Sequence, residues 1–131
     1  MATYLIDTNI VIDALNHKRN RNEILIGLAQ QGHTLACSPI TIAEVYAGMR
    51  PKEETHTAGF LRTLELYPIT FPVAELAGTL KRDYARKGKV LTIPDTLIAA
   101  TALHNKLILI TDNTADFPMK DLALHNLSHA A

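Results

Sequence analysis

At 131 residues the chain is long enough for one domain with one hydrophobic core. With 47% hydrophobic and 20% charged residues and no low-complexity tract, its composition excludes a disordered or fibrous protein. Thirteen lysines and arginines balance thirteen aspartates and glutamates, which at first sight argues against nucleic acid, and no apolar run approaches the roughly 18 residues that span a bilayer.

The elements follow in chain order. Thr3 to Ile6 is a short apolar run ending at Asp7, and Ile10, Val11, Ala14 and Leu15 then recur at helical spacing, so a strand leads into a helix. The polar stretch to Asn22 gives way to a helical stripe of Ile24, Leu25, Leu28 and Ala29, which Gly32 ends. Leu35-Ala36-Cys37 is a buried strand punctuated by Ser38-Pro39. From Thr41, the residues Ile42, Val45, Tyr46 and Met49 form one helical face that closes at Gly48 and Pro51. Glu53 to Leu66 is expected as a further helix, with Phe60, Leu61 and Leu64 inward. Tyr67 to Phe71 alternates like a strand, and Pro68 limits it to an edge or to a short piece. Val73, Leu76, Ala77, Leu80 and Tyr84 give the clearest helical stripe before the break at Gly88. Pro94-Asp95 opens a helix over Leu97 to Leu103, in which Ala99, Ala100 and Ala102 allow close backbone packing. Leu107 to Ile110 is a strand apolar on both faces, and Leu122, Leu124 and Leu127 mark an edge strand or loop. Alternating strands and helices imply one α/β domain over 1–131, with a mainly parallel central sheet and helices on both sides.

Cys37 is the only cysteine, so no intrachain disulfide forms and no zinc-ligand set exists around it. The N-terminal MATYLIDTNIVIDAL lacks a basic start and carries Asp7 and Asp13, unlike a signal peptide, so a cytoplasmic protein is expected. His17, His33, His56, His104, His125 and His129 show no ligand spacing and are read as structural or surface residues.

On this map the acids converge. Asp7 closes the first strand, Glu44 lies on the helix after the second, Asp95 opens a helix, and Asp112 and Asp116 follow the Leu107 to Ile110 strand. All can reach the edge where parallel strands end and ligands bind. Packed carboxylates repel one another and resist burial unless a cation neutralises them. An oxygen-only set suits Mg2+ or Mn2+, which activates water and stabilises phosphoryl charge in phosphodiester hydrolysis. Thr8, Asn9, Thr111 and Asn113 flank the acids and are expected to orient ligands or water. Each position also has an ordinary explanation: Asp7 and Asp95 as helix N-caps, Asp112-Asn113 as a turn, Glu44 as a solvated helix face. Setting five acids aside leaves thirteen basic residues against eight acidic ones elsewhere, and the segments 17–21 and 81–89 are basic enough to face phosphates.

The segments LIDTNIVIDAL, TIAEVYAG, IPDTLIAATAL and ITDNTADF, in this order over nearly the whole chain, resemble the PIN-domain family, in particular the VapC-type toxins of bacterial toxin-antitoxin pairs. The resemblance implies a three-layer α/β/α fold and an Mg2+- or Mn2+-dependent endoribonuclease that cleaves RNA. Its four acids fall on Asp7, Glu44, Asp95 and, through Thr111, Asn113 and Phe117, on Asp116, with Asp112 an additional acid inside the last motif. It implies Asp7 and Asp95 as primary metal ligands, with Glu44 and Asp116 binding a second metal or holding water. It also implies a VapB-type antitoxin that enters the acidic pocket, often through an arginine, and a homodimer.

Two other functions compete. A haloacid-dehalogenase-like phosphatase needs a second Asp two residues after the first, where this chain has Asn9. A catalytically silent PIN fold that only binds RNA or protein would be marked by the loss of an acid, and all the acids are present.

Overall fold

Five short strands form one sheet whose strands all run parallel. The structure is a computed structural model and describes residues 1–127. In chain order the elements are β1 (Thr3–Ile6), α1 (Thr8–Leu15), α2 (Arg21–Gln30), β2 (Thr34–Cys37), α3 (Pro39–Gly48), α4 (Glu54–Leu61), β3 (Glu65–Leu66), α5 (Phe71–Arg86), α6 (Ile93–Asn105), β4 (Ile108–Thr111) and β5 (Ala123–Asn126). Short 3-10 turns cover Pro51–Glu53 and Thr114–Asp116. Among the described residues no helix is long and apolar enough to cross a membrane.

The period-2 alternation of a strand sorts the core into two halves. Tyr4, Ile6, Cys37 and Ile110 face one side, where Ile10, Val11 and Ala14 of α1, Leu25 of α2, Val45 of α3 and Leu61 of α4 cover them. Leu5, Ala36 and Leu109 face the other, against Ile98, Ala99 and Ala102 of α6. Ala100, on another side of α6, meets Val73 and Ala77 of α5. The alanine-rich α6 thus packs on the sheet with one stripe and on α5 with another, which only small side chains permit at close range. The three-layer α/β/α architecture expected from the sequence is the observed one.

The strand order is β3-β2-β1-β4-β5. The chain moves from β1 outward to β2 and β3, then returns to lay β4 and β5 on the opposite side of β1. The order reverses at β1, and such a switch opens a crevice beyond the carboxyl ends of the strands. Asp7 is the first residue beyond β1, and its N–H continues the ladder to the carbonyl of Ile110 (3.0 Å).

Two expectations are corrected. The helix expected over Glu53 to Leu66 stops at Leu61, because the Phe60 carbonyl is taken by both the N–H (3.0 Å) and the hydroxyl (2.6 Å) of Thr63. A short polar side chain competing for a helix carbonyl ends the helix. The edge strand expected over Tyr67 to Phe71 lies earlier, at Glu65–Leu66, paired to Ala36 and Cys37, and Pro68 follows it. The apolar tail is an edge strand, β5, paired in parallel with β4.

Candidate active site

Asp7 sits at the switch point as the N-cap of α1 and is 5% exposed. Its two carboxylate oxygens have separate partners. The Thr8 N–H donates to Oδ1 (2.8 Å), and the Thr111 hydroxyl, at the end of β4, donates to Oδ2 (2.8 Å). An ionised carboxylate can only accept, so the Thr111 hydroxyl donates to it while its oxygen accepts from the Asn113 N–H (2.9 Å). Burial pushes the Asp7 carboxyl up from 3.8 to about 6; the two hydrogen bonds oppose this, and the charges of Asp95 and Asp112 add to it.

Asp95 lies in the first turn of α6 and is half-buried. The N-cap there is Thr92, whose hydroxyl accepts from the Asp95 N–H (3.2 Å), so Asp95 is not the cap that its position before an apolar helix suggested. Its side chain is thereby left for other work. Its pKa is raised, first by burial and then by Asp116 and Glu44, while Thr92 pulls the other way. Each of these acids is therefore in the field of another: Asp7 with Asp95 and Asp112, Asp95 with Asp116 and Glu44. Among the described residues, no three acidic, histidine or cysteine side chains are placed so that they alone could hold an ion.

Glu44 is exposed, as its helix face suggested, yet it is tied to the site. The Thr8 hydroxyl donates to Glu44 Oε1 (2.7 Å) and lies 3.0 Å from the hydroxyl of Thr41, which is fully buried. Thr8 has one proton and spends it on a carboxylate that only accepts, so Thr41 must donate to Thr8. The chain Thr41 to Thr8 to Glu44 is one-way, and Thr8 orients both Asp7 and Glu44. Thr41 was missed in the sequence. It stands one helical turn before Glu44, on the same face, and that spacing is the signal that could have found it.

Asp116, in the 3-10 turn after β4, is exposed, and Asn9, in the first turn of α1, is exposed as well. Asp112 is engaged elsewhere. Its Oδ2 accepts from Arg19 Nη1 (2.8 Å) and from Arg21 Nη2 (3.4 Å). Arg21 is fully buried and also donates to the Leu127 carbonyl (3.3 Å). The reading of segment 17–21 as basic enough to face phosphates is therefore corrected at Arg21, which the structure draws inside. Arg19 remains half-exposed. Its backbone is left-handed (φ 56°), as is that of His17 and Asn20. Asn and His tolerate this region, whereas an arginine there carries a cost of ~1–2 kcal/mol. Its partner Asp112 has a side chain only 9% exposed, so the pair joins an exposed guanidinium to a nearly buried carboxylate.

Cys37 is buried, and burial pushes its thiol up to about 11, so it stays protonated at neutral pH. His33 accepts from the Ala2 N–H (3.2 Å) and stands edge-on to Tyr4, as does His125; both are packing residues, as expected.

A fold with a switch-point crevice and acids gathered beyond its central strands defines a class, and comparison with known proteins gives the family. The PIN domain matches residues 4–121. Ribonuclease VapC2 of Haemophilus influenzae is 34% identical over 89% of this chain and 91% of its own length. Ribonuclease VapC19 of Mycobacterium tuberculosis is 32% identical over 88% of this chain and 92% of its own. Among solved structures, VapBC2 from Rickettsia felis bound to a promoter DNA fragment superposes with a TM-score of 0.81 at 28% identity, covering 95% of this chain and 98% of that one. The chain belongs to the PIN-domain family, as its motifs led us to expect, and its relatives are VapC ribonucleases.

Proposed function

We propose that this protein is a divalent-metal-dependent endoribonuclease, the toxin of a toxin-antitoxin pair, acting at Asp7, Glu44, Asp95 and Asp116. The observation that carries the reading is Asp7: a nearly buried carboxylate at the switch point, aimed by two hydrogen bonds and raised to about 6 by burial, with further acids in its field. Buried acids that raise one another's pKa have an unmet need for positive charge.

The donor set fits a hard cation. It consists of carboxylate and hydroxyl oxygens, and Mg2+ or Mn2+ takes one or two carboxylates and completes its shell with water and phosphate oxygens. That suits acids near one another but not placed to hold an ion by themselves. Asp7 and Asp95 would hold the ion, with Glu44 and Asp116 binding its water ligands. When bound, the cation lowers the pKa of a water and stabilises charge on the phosphoryl group.

This chain's own residues set the geometry. Thr111 and the Thr8 N–H fix the Asp7 carboxylate plane, the Thr41 to Thr8 chain fixes Glu44, and the Thr92 cap fixes the turn that carries Asp95. Asp112, shared between two arginines, serves the loop and is not counted among the ligands. A VapB-type antitoxin is the proposed protein partner. An apolar groove lined by Ile12, Leu15, Val45 and Met49 gives it a surface, and a homodimer would use exposed apolar residues such as Phe71 and Val90.

The test is cleavage of a mixed RNA pool by purified, antitoxin-free protein. Cleavage with Mg2+ or Mn2+, its arrest by chelator and its loss in Asp7→Asn and Asp95→Asn are expected. A metal-independent activity, or one surviving both substitutions, defeats the proposal. Binding of intact RNA without any cleavage would favour a silent binding module.

A further inference from the structure

The acids that suit the site to a cation also repel the RNA that must reach it, so a substrate phosphate needs positive charge at their edge. The structure supplies one such charge. Arg19 Nη1 is 2.8 Å from Asp112 Oδ2, Asp112 follows Thr111 directly, and Thr111 donates to Asp7 at 2.8 Å. With Arg21 on the same carboxylate, the group Arg19, Asp112 and Arg21 carries a net charge of +1 beside the acids. Arg21 is sealed inside and cannot meet a ligand. Arg19, with a side chain 51% exposed, can.

We propose that Arg19 is a substrate-binding residue that holds a phosphate of the RNA backbone next to the acidic site. This rests on the ribonuclease reading above. Two observations point the same way. Among the described residues the Arg19 guanidinium bonds through Nη1 to Asp112 alone, and a guanidinium has five N–H donors in a fixed fork suited to phosphate oxygens. Asp112 orients that fork while its own charge is shared with Arg21, so the pair is a holder for Arg19 more than a sink for its charge. The backbone at Arg19 is also left-handed, a conformation that arginine seldom adopts and that recurs at ligand-binding sites.

A position in left-handed backbone offers a discriminating test. Glycine adopts that conformation freely, so Arg19→Gly should leave Tm unchanged or raised, and Arg19→Gln gives a second variant with a full-length neutral side chain. Binding of a dye-labelled single-stranded RNA of mixed sequence is followed by anisotropy in chelator from 50 to 200 mM salt, and cleavage is followed with Mn2+. Both variants should bind about 5-fold or more weakly at the lowest salt. The slope of log K against log salt should be shallower by about 0.7, one phosphate contact on a single strand. KM should rise more than kcat falls, and Arg19→Lys should keep the slope. Wild-type slope and KM in both neutral variants, with a lowered Tm, would overturn the proposal and leave Arg19 a structural bridge while the nuclease stands. Wild-type protein that neither binds nor cleaves RNA would overturn the ribonuclease reading, and this one with it.

Discussion

Asp7 is held in its place at a cost to the fold, and the sign of that cost is open to measurement. Burial raises its pKa from 3.8 to about 6, so the folded chain binds this proton more tightly than the unfolded chain. Stability therefore falls as pH rises between those values, and above them the whole penalty, roughly 3 kcal/mol, is present. Asp7→Asn removes the charge and keeps an acceptor for the Thr8 N–H. In chelated protein we expect its Tm to exceed that of wild type by about 5 °C at pH 7.5, with the gain shrinking toward zero as pH is lowered to 4. Calorimetry at the two pH values decides it, and a lower Tm at pH 7.5 would make Asp7 a stabilising cap first. The hydroxyl chain behind Glu44 makes a second prediction at this scale. Thr41→Val removes the donor to Thr8 at nearly constant volume and should lower kcat about 10-fold, the size of effect that outer-shell partners have on a metal site, while Thr41→Ser restores it. Equal kcat in both variants would remove Thr41 from the site.

At the scale of the elements, α6 brings Asp95 to the site, and Thr92 starts it. Thr92→Ala takes the acceptor from the Asp95 N–H and should destabilise the fold by about 1 kcal/mol, read as a shifted denaturation midpoint at constant slope. Cleavage should fall with it, since the first turn then frays under Asp95. Much of this level is legible in the sequence. The runs at Thr3 to Ile6 and Leu107 to Ile110 read as buried parallel strands because both of their faces are apolar, and the alanines of α6 announce close packing on two sides. The α4 end and β3 were not legible, for a physical reason. Phe60, Leu61 and Leu64 keep helical spacing while the Thr63 side chain captures the carbonyl that would continue the helix. Leu64 is buried anyway, from a turn, so the pattern survives although the helix does not. Glu65 and Leu66 are both exposed, and their pairing to β2 leaves no trace in hydrophobicity. The acids proposed for the site, with Thr8 and Thr111 beside them, could be picked out along the chain. The burial of Arg21 could not, because a basic run reads as a solvated one until its counterion arrives from about ninety residues away.

On the scale of the whole molecule, the site belongs to no single segment. Residues 7 and 8, 41 and 44, 95, and 111 to 116 meet only because the strand order reverses at β1 and puts the carboxyl ends of β1, β2 and β4 side by side. Thr111 reaches Asp7 across the β1–β4 pair, and Thr8 reaches Thr41 and Glu44 across the α1–α3 packing. Folding thus gathers charges that repel one another, and the proposed cation would make the arrangement favourable. The most direct measurement is the anomalous difference map of crystals grown with Mn2+. We expect a peak beyond the end of β1, within ligand distance of the Asp7 carboxylate, with Asp95 as a second protein ligand and water completing the shell. A map with no peak there, or with manganese held elsewhere while Asp7 keeps only Thr8 and Thr111, would contradict the metal site and the nuclease built on it.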